Sequence, residues 1–158
     1  MISATGDLWT YGAPDARVIT TNGFRKANGE CVMGRGCARE ARDKYPGLAA
    51  RLGERIRITG NHAYVFDVDE PWHLVTFPVK PVTGAKGEPG FSAMADLEII
   101  EASAWRLLMM TESFGWQEIV MPRPGAGNGG LIWRDVKRVL EPILDDRFTA
   151  LTYDRVGG

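Results

Sequence analysis

Lys80 closes the apolar run Leu74-Val75-Thr76-Phe77-Pro78-Val79. A lysine at a strand end can carry its ammonium to water along an aliphatic stem. It can also be partly desolvated, so that the amine sheds its charge and serves as nucleophile or base. A diphosphate nearby would favour the charged form, and the sequence leaves both uses open. Asn22 stands where a second run, Val18-Ile19-Thr20-Thr21, breaks at Gly23. It is either a turn residue tolerant of left-handed backbone or an amide placed to hold a sugar hydroxyl. Asp7, in Gly6-Asp7-Leu8, is either an exposed turn carboxylate or an acceptor for an adenine amino group. His62 and His73 have no cysteine or carboxylate partner at ligand spacing, and Cys31 and Cys37 have no second pair. Neither a metal nor a disulfide framework is expected, and no cofactor is implied. There is no serine nucleophile elbow.

Glycine surrounds these residues. The chain has 19 glycines in 158 residues, well above the usual share of roughly 7%. The excess gathers in two loops, each between an apolar strand and a helix. The first passes through Gly23, Gly29, Gly34, Arg35 and Gly36 into Cys37-Ala38-Arg39-Glu40-Ala41. The second reads Pro122-Arg123-Pro124-Gly125-Ala126-Gly127-Asn128-Gly129-Gly130-Leu131. Glycine lets backbone N–H groups face an anion with no Cβ in the way, and a helix N-terminus adds partial positive charge. Two such loops at one sheet edge can clamp a diphosphate from both sides. No glycine-lysine-serine or -threonine run follows either loop, which excludes a Walker A site. Too little chain follows the second loop for a Rossmann dinucleotide fold.

The elements that must position these residues alternate in type. Strands are predicted over 2–8, 17–21, 63–68, 73–79, 118–121 and 148–153. Helices are predicted over 36–44, from Leu48 to the stop at Gly60-Asn61, from a Ser92 cap to Phe114-Gly115, and over 131–140. Leu48, Leu52, Ile56 and Ile58 give the second helix its apolar face; Met94, Leu97, Ala104, Leu107 and Leu108 give the third its own. Trp105, Trp116 and Trp133 read as core or helix-packing residues. The alternation implies an α/β fold with a mostly parallel sheet covered on both faces, ligands binding beyond the strands' carboxyl ends. The length suits one domain over 1–158. A net charge of −1 and the lack of a basic cluster argue against a dedicated nucleic-acid surface. With no signal peptide and no apolar run of membrane length, a cytoplasmic protein without membrane contact is expected.

In this order the segments resemble the macro domain, a family that binds ADP-ribose and in many branches removes it from proteins or nucleic acids. The segments that carry the resemblance are Gly6-Asp7-Leu8, Thr20-Thr21-Asn22-Gly23, Cys31-Val32-Met33-Gly34-Arg35-Gly36-Cys37-Ala38, Phe77-Pro78-Val79-Lys80 and the whole second loop. The branch is similar to that of the terminal ADP-ribose protein glycohydrolase and the antitoxins that strip ADP-ribose from thymidine in DNA. The resemblance implies a three-layer α/β/α fold around a mixed, mostly parallel sheet, in a monomer. It also implies roles. Asp7, beside Leu8, takes the adenine amino group, and Asn22 holds the distal ribose. Val32, Met33, Gly34, Arg35 and Gly36, with Gly125, Ala126, Gly127, Asn128, Gly129 and Gly130, wrap the diphosphate and the distal ribose. Lys80 occupies the place of the lysine that attacks the anomeric carbon. Gly129 stands where the protein glycohydrolase has an aspartate, an acid that the antitoxins also lack. No aspartate follows the first loop as in other macro hydrolases. The implied activity is hydrolysis of ADP-ribose from a protein carboxylate or a nucleobase. A non-catalytic reader of ADP-ribose and a phosphatase acting on ADP-ribose 1″-phosphate are the alternatives.

Overall fold

In the computed structural model, residues 1–153 are described. Six strands form one sheet: β1 (Ile2–Thr5), β2 (Ala16–Thr21), β3 (Tyr64–Phe66), β4 (His73–Pro78), β5 (Ile119–Pro122) and β6 (Phe148–Thr152). Their order is β1-β6-β5-β2-β4-β3, and every pairing is parallel except β3 with β4. The antiparallel pair arises because only the short acidic turn between Phe66 and His73 joins those strands. A parallel pair would need a crossover of a dozen or more residues.

Strand alternation divides the core between two layers. Val18, Val75, Phe77, Ile119, Met121, Phe148 and Ala150 face one way, onto α3 (Leu97–Phe114) and α4 (Trp133–Leu140). Ile19, Leu74, Val120 and Leu151 face the other way, onto α1 (Gly36–Lys44) and α2 (Leu48–Thr59). This is the expected three-layer α/β/α arrangement. The sheet interior is apolar on both faces, as parallel strands covered by helices require.

Five local expectations are corrected. Ser92 does not cap α3; it closes a single 3-10 turn (Gly90–Ser92), its hydroxyl donating to the Pro89 carbonyl at 2.9 Å. Asp96 is the cap, accepting from Glu98 N at 2.8 Å and Ile99 N at 3.3 Å. Met94 therefore precedes the helix and stands 64% exposed. Ile58 and Trp105 also lie in solvent, because the last turn of α2 and the outer face of α3 have nothing packed over them. Finally, α4 starts at Trp133 and not at Leu131, since the second loop turns once more before the helix begins.

α2 also holds the first loop from beneath. Cys31 N donates to the Ala49 carbonyl at 2.9 Å. A Cβ on Gly53 would run into the Gly29 carbonyl, so helix and loop meet backbone to backbone.

Candidate functional site

A cleft of about 1280 Å³ lies beyond the carboxyl ends of the strands. Asp7, Leu8, Asn22, Val32, Met33, Gly34, Arg35, Gly36, Lys80, Gly125, Gly127, Asn128, Gly129 and Gly130 all line it. Ala126, expected beside them, does not. It is half-buried, and its N–H donates to the Arg123 carbonyl at 3.3 Å.

The pairing of β2 with β4 brings Asn22 and Lys80 together. Thr21 and Pro78 are register partners, and Val79 N donates to the Thr21 carbonyl at 2.9 Å, so the two chain ends emerge side by side. Lys80 is half-buried, and its Nζ donates to the Phe91 carbonyl at 3.0 Å. The Lys80 main-chain carbonyl accepts from Asn61 Nδ2 at 3.0 Å. Burial, and after it the positive charge of Arg35, hold the amine below the usual lysine value of 10.5. A carboxylate beside the amine would reverse that shift, but the partner here is a neutral carbonyl. The result is an amine that gives up its proton more easily than a surface lysine.

Asn22 works on the protein as well as facing the cleft. Its Nδ2 donates to the Val32 carbonyl at 3.0 Å, and its Oδ1 accepts from Phe24 N at 2.8 Å. These bonds fold the first loop back across its own base; the second amide hydrogen remains for a ligand. Downstream, α1 begins at Gly36 with no side-chain cap and no acid in its first turn. Its first N–H groups are thus left without intrahelical partners at the cleft wall, a ready anion seat. Cys37 is no competing nucleophile: burial pushes its thiol pKa up, and Thr20 holds the sulfur at 3.4 Å.

The second loop supplies the opposite wall. Leu131 N donates to Gly125 O at 2.9 Å, Gly130 N to Gly127 O at 3.1 Å, and Ala95 N to Gly129 O at 2.9 Å. Gly129 is packed against this framework: a Cβ there would lie 2.6 Å from Gly125 O and 2.8 Å from Ala95 Cβ. A Cβ on Gly127 would meet nothing within 4 Å and would face the open cleft.

At the far end, Asp7 Oδ1 accepts from Trp9 N at 2.8 Å. Its second carboxylate oxygen has no hydrogen-bond partner among the described residues. Two contributors to the cleft were not singled out from sequence. Arg17, only 4% exposed, donates to the carbonyls of Leu8 at 2.7 Å, Tyr11 at 2.9 Å and Gly12 at 3.3 Å. It thereby clamps the turn that carries Asp7. Arg123 lines the cleft with its guanidinium 4.9 Å over the Trp133 ring. Its buried Nε has no protein partner. An arginine inside a strand of β-branched residues was the only available sign of the first; the second gave none.

No protein-family model matches the chain. A DNA ADP-ribosyl glycohydrolase of Mycobacterium tuberculosis is 30% identical over 138 residues, which are 83% of this chain and 37% of that protein. The chain thus spans little more than a third of the length of the curated relative it matches. The solved macrodomain of Mycobacterium tuberculosis DarG superposes with a TM-score of 0.75 at 25% identity, covering 97% of each chain. The structure of Thermosipho africanus DarTG in complex with ADP-ribose superposes with a TM-score of 0.67 at 15% identity, over 92% of this chain and 39% of that one.

Proposed function

We propose that this chain, a macro domain near the DarG branch, binds ADP-ribose in the cleft and hydrolyses the bond that links it to a modified nucleobase or protein carboxylate. The observation that carries this reading is the placement of Lys80. A half-buried amine with a depressed pKa lines a cleft walled by the uncapped N-terminus of α1 and by the second glycine loop. The Mycobacterium tuberculosis relative, named a DNA ADP-ribosyl glycohydrolase, supports the nucleobase as the attached group.

In this mechanism Asp7 receives the adenine amino group, and the N-terminus of α1 with the second loop holds the diphosphate. Asn22 orients the distal ribose with its free amide hydrogen. The neutral Lys80 amine donates its lone pair to the anomeric carbon, and the bond to the base or carboxylate breaks with its electron pair leaving on that group. The proton that the amine sheds passes to the departing base or carboxylate. Water then adds its hydroxyl to the anomeric carbon and gives its proton to the lysine nitrogen, so the C–N bond breaks, the free amine returns and ADP-ribose departs. The Phe91 carbonyl holds Nζ in place without the negative charge that would stabilise the ammonium, which keeps the neutral amine accessible. We further read the chain as a monomer working in the cytoplasm, away from membranes. Among the described residues no helix is long and apolar enough to cross one.

The test is turnover on a thymidine-linked ADP-ribosyl oligonucleotide and on a glutamate-linked ADP-ribosyl protein, with calorimetry of free ADP-ribose alongside. Release from either substrate by the wild type, lost in Lys80→Ala with ADP-ribose binding kept, is the expected result. Binding without release from either leaves a reader. Absence of ADP-ribose binding overturns the assignment altogether.

A further inference from the structure

Two exposed apolar side chains stand at the reactive end of the cleft, where a diphosphate sugar has no use for them. Phe91 is 42% exposed and Met94 64%, and both line the cleft. Phe91 is the residue whose carbonyl holds the Lys80 amine at 3.0 Å. A carbon poised for attack lies roughly 3–3.5 Å from its nucleophile. The Phe91 side chain lines the cleft that must hold that carbon and the group attached to it. The ring is fixed in turn. It meets Phe24 of the first loop edge-to-face, with centroids 5.2 Å apart. Its backbone closes a tight excursion in which Gly90 N donates to Val82 O at 2.9 Å and Thr83 bridges Pro89. Met94 reaches toward the second loop, its Cε about one van der Waals contact (3.6 Å) from the position of a Cβ on Gly130. Together they line the cleft with an aromatic ring held by Phe24 and a polarizable thioether beside the second loop.

We propose that Phe91, with Met94 beside it, receives the leaving group of the reaction and selects a planar base over an aliphatic carboxylate. The inference rests on the hydrolase reading above. Aromatic stacking is available to any base, whereas a glutamate side chain has no π-face to offer. A methionine at the edge of such a site adapts to the base without adding charge.

The test separates binding of the leaving group from binding of ADP-ribose. In a Lys80→Ala background, which leaves the bond intact, affinities are measured for a thymidine-linked ADP-ribosyl oligonucleotide and for free ADP-ribose. The parent is compared with Phe91→Leu and Phe91→Trp. The conjugate is expected to bind more tightly than ADP-ribose. Phe91→Leu is expected to cost roughly 5- to 160-fold on the conjugate, the range of one lost base stack, with ADP-ribose unchanged; Phe91→Trp keeps the affinity. With Lys80 present, kcat/KM on the oligonucleotide falls by the same factor in Phe91→Leu. An equal loss on both ligands, no loss on either, or a conjugate bound no better than ADP-ribose overturns the proposal. A ring-dependent affinity with no cleavage by the wild type refutes the hydrolase reading and leaves the stacking contact in place.

Discussion

Two glycines in the second loop, two residues apart, should respond in opposite ways to the smallest changes. At Gly129 a methyl would lie 2.6 Å from Gly125 O and 2.8 Å from both Gly125 Cα and Ala95 Cβ. Two of those three neighbours are backbone atoms, which cannot rotate aside, so the loop itself must shift. Overpacking of this kind costs about 1–3 kcal/mol. For a domain of this size, each kcal/mol lowers Tm by about 2–4 °C, giving a fall of about 2–12 °C for Gly129→Ala. At Gly127 nothing lies within 4 Å of the added carbon. Gly127→Val should stay within about 0.5 kcal/mol of wild-type stability. Its side chain would project into the proposed diphosphate seat and weaken ADP-ribose by at least about tenfold, or about 1.4 kcal/mol. Thermal melts and calorimetry on the two variants read both quantities. Gly127→Val with unchanged affinity, or Gly129→Ala melting with the wild type, refutes this account of the loop. The same geometry rules out simply grafting an acid at 129 to imitate the protein glycohydrolase pattern.

Other consequences follow from the cleft. Lys80→Ala should abolish turnover while keeping ADP-ribose affinity within a fewfold, and a variant that still turns over removes the lysine mechanism. Turnover needs the neutral amine, so kcat/KM, which reports the free protein, should rise with pH, with a midpoint below the ordinary 10.5. Arg35 is the second cause of that depression. Arg35→Gln removes a positive charge that disfavours the ammonium, so the midpoint should move to higher pH and Arg35→Lys should restore it; a midpoint that falls or stays refutes the coupling. Arg17→Met should release the turn that carries Asp7, costing about 1.5–3 kcal/mol of charge-assisted hydrogen bonding in denaturant titration and weakening ADP-ribose. Stability equal to wild type would show that the clamp is not needed.

The sequence carried the sheet and helices because their apolar patterns are local, and β2, β4, β5 and β6 fall close to where alternation and run length put them. Ser92 and Asp96 show where local reasoning stops. Both are good cap residues, and the choice was made by Asp96 N donating to Val79 O at 2.8 Å, a contact no window along the chain contains. Asn22 was legible as a residue facing the cleft. Its bonds to Val32 and Phe24 depend on how the loop folds back, and were not. Arg17 was hidden for a related reason: its carbonyl partners are main-chain atoms, and every residue supplies those alike. Phe91 sits in a proline- and glycine-punctuated stretch that reads only as loop; its meaning comes from the amine its carbonyl holds.

The excursion from Lys80 to Ala95 is anchored by main-chain bonds at its base: Asp96 to Val79, Ala95 to Gly129, and Gly90 to Val82. Its tip at Ala85, Lys86 and Gly87 is exposed and takes no part in those anchors beyond Gly87 N donating to Gly84 O at 3.0 Å and Lys86 N to Glu88 Oε2 at 2.8 Å. The base therefore fixes the number of residues near the amine, whereas the tip is free to grow. A short peptide grafted at Ala85 would therefore lengthen the tip while leaving in place the main-chain bonds that set Lys80 and Phe91.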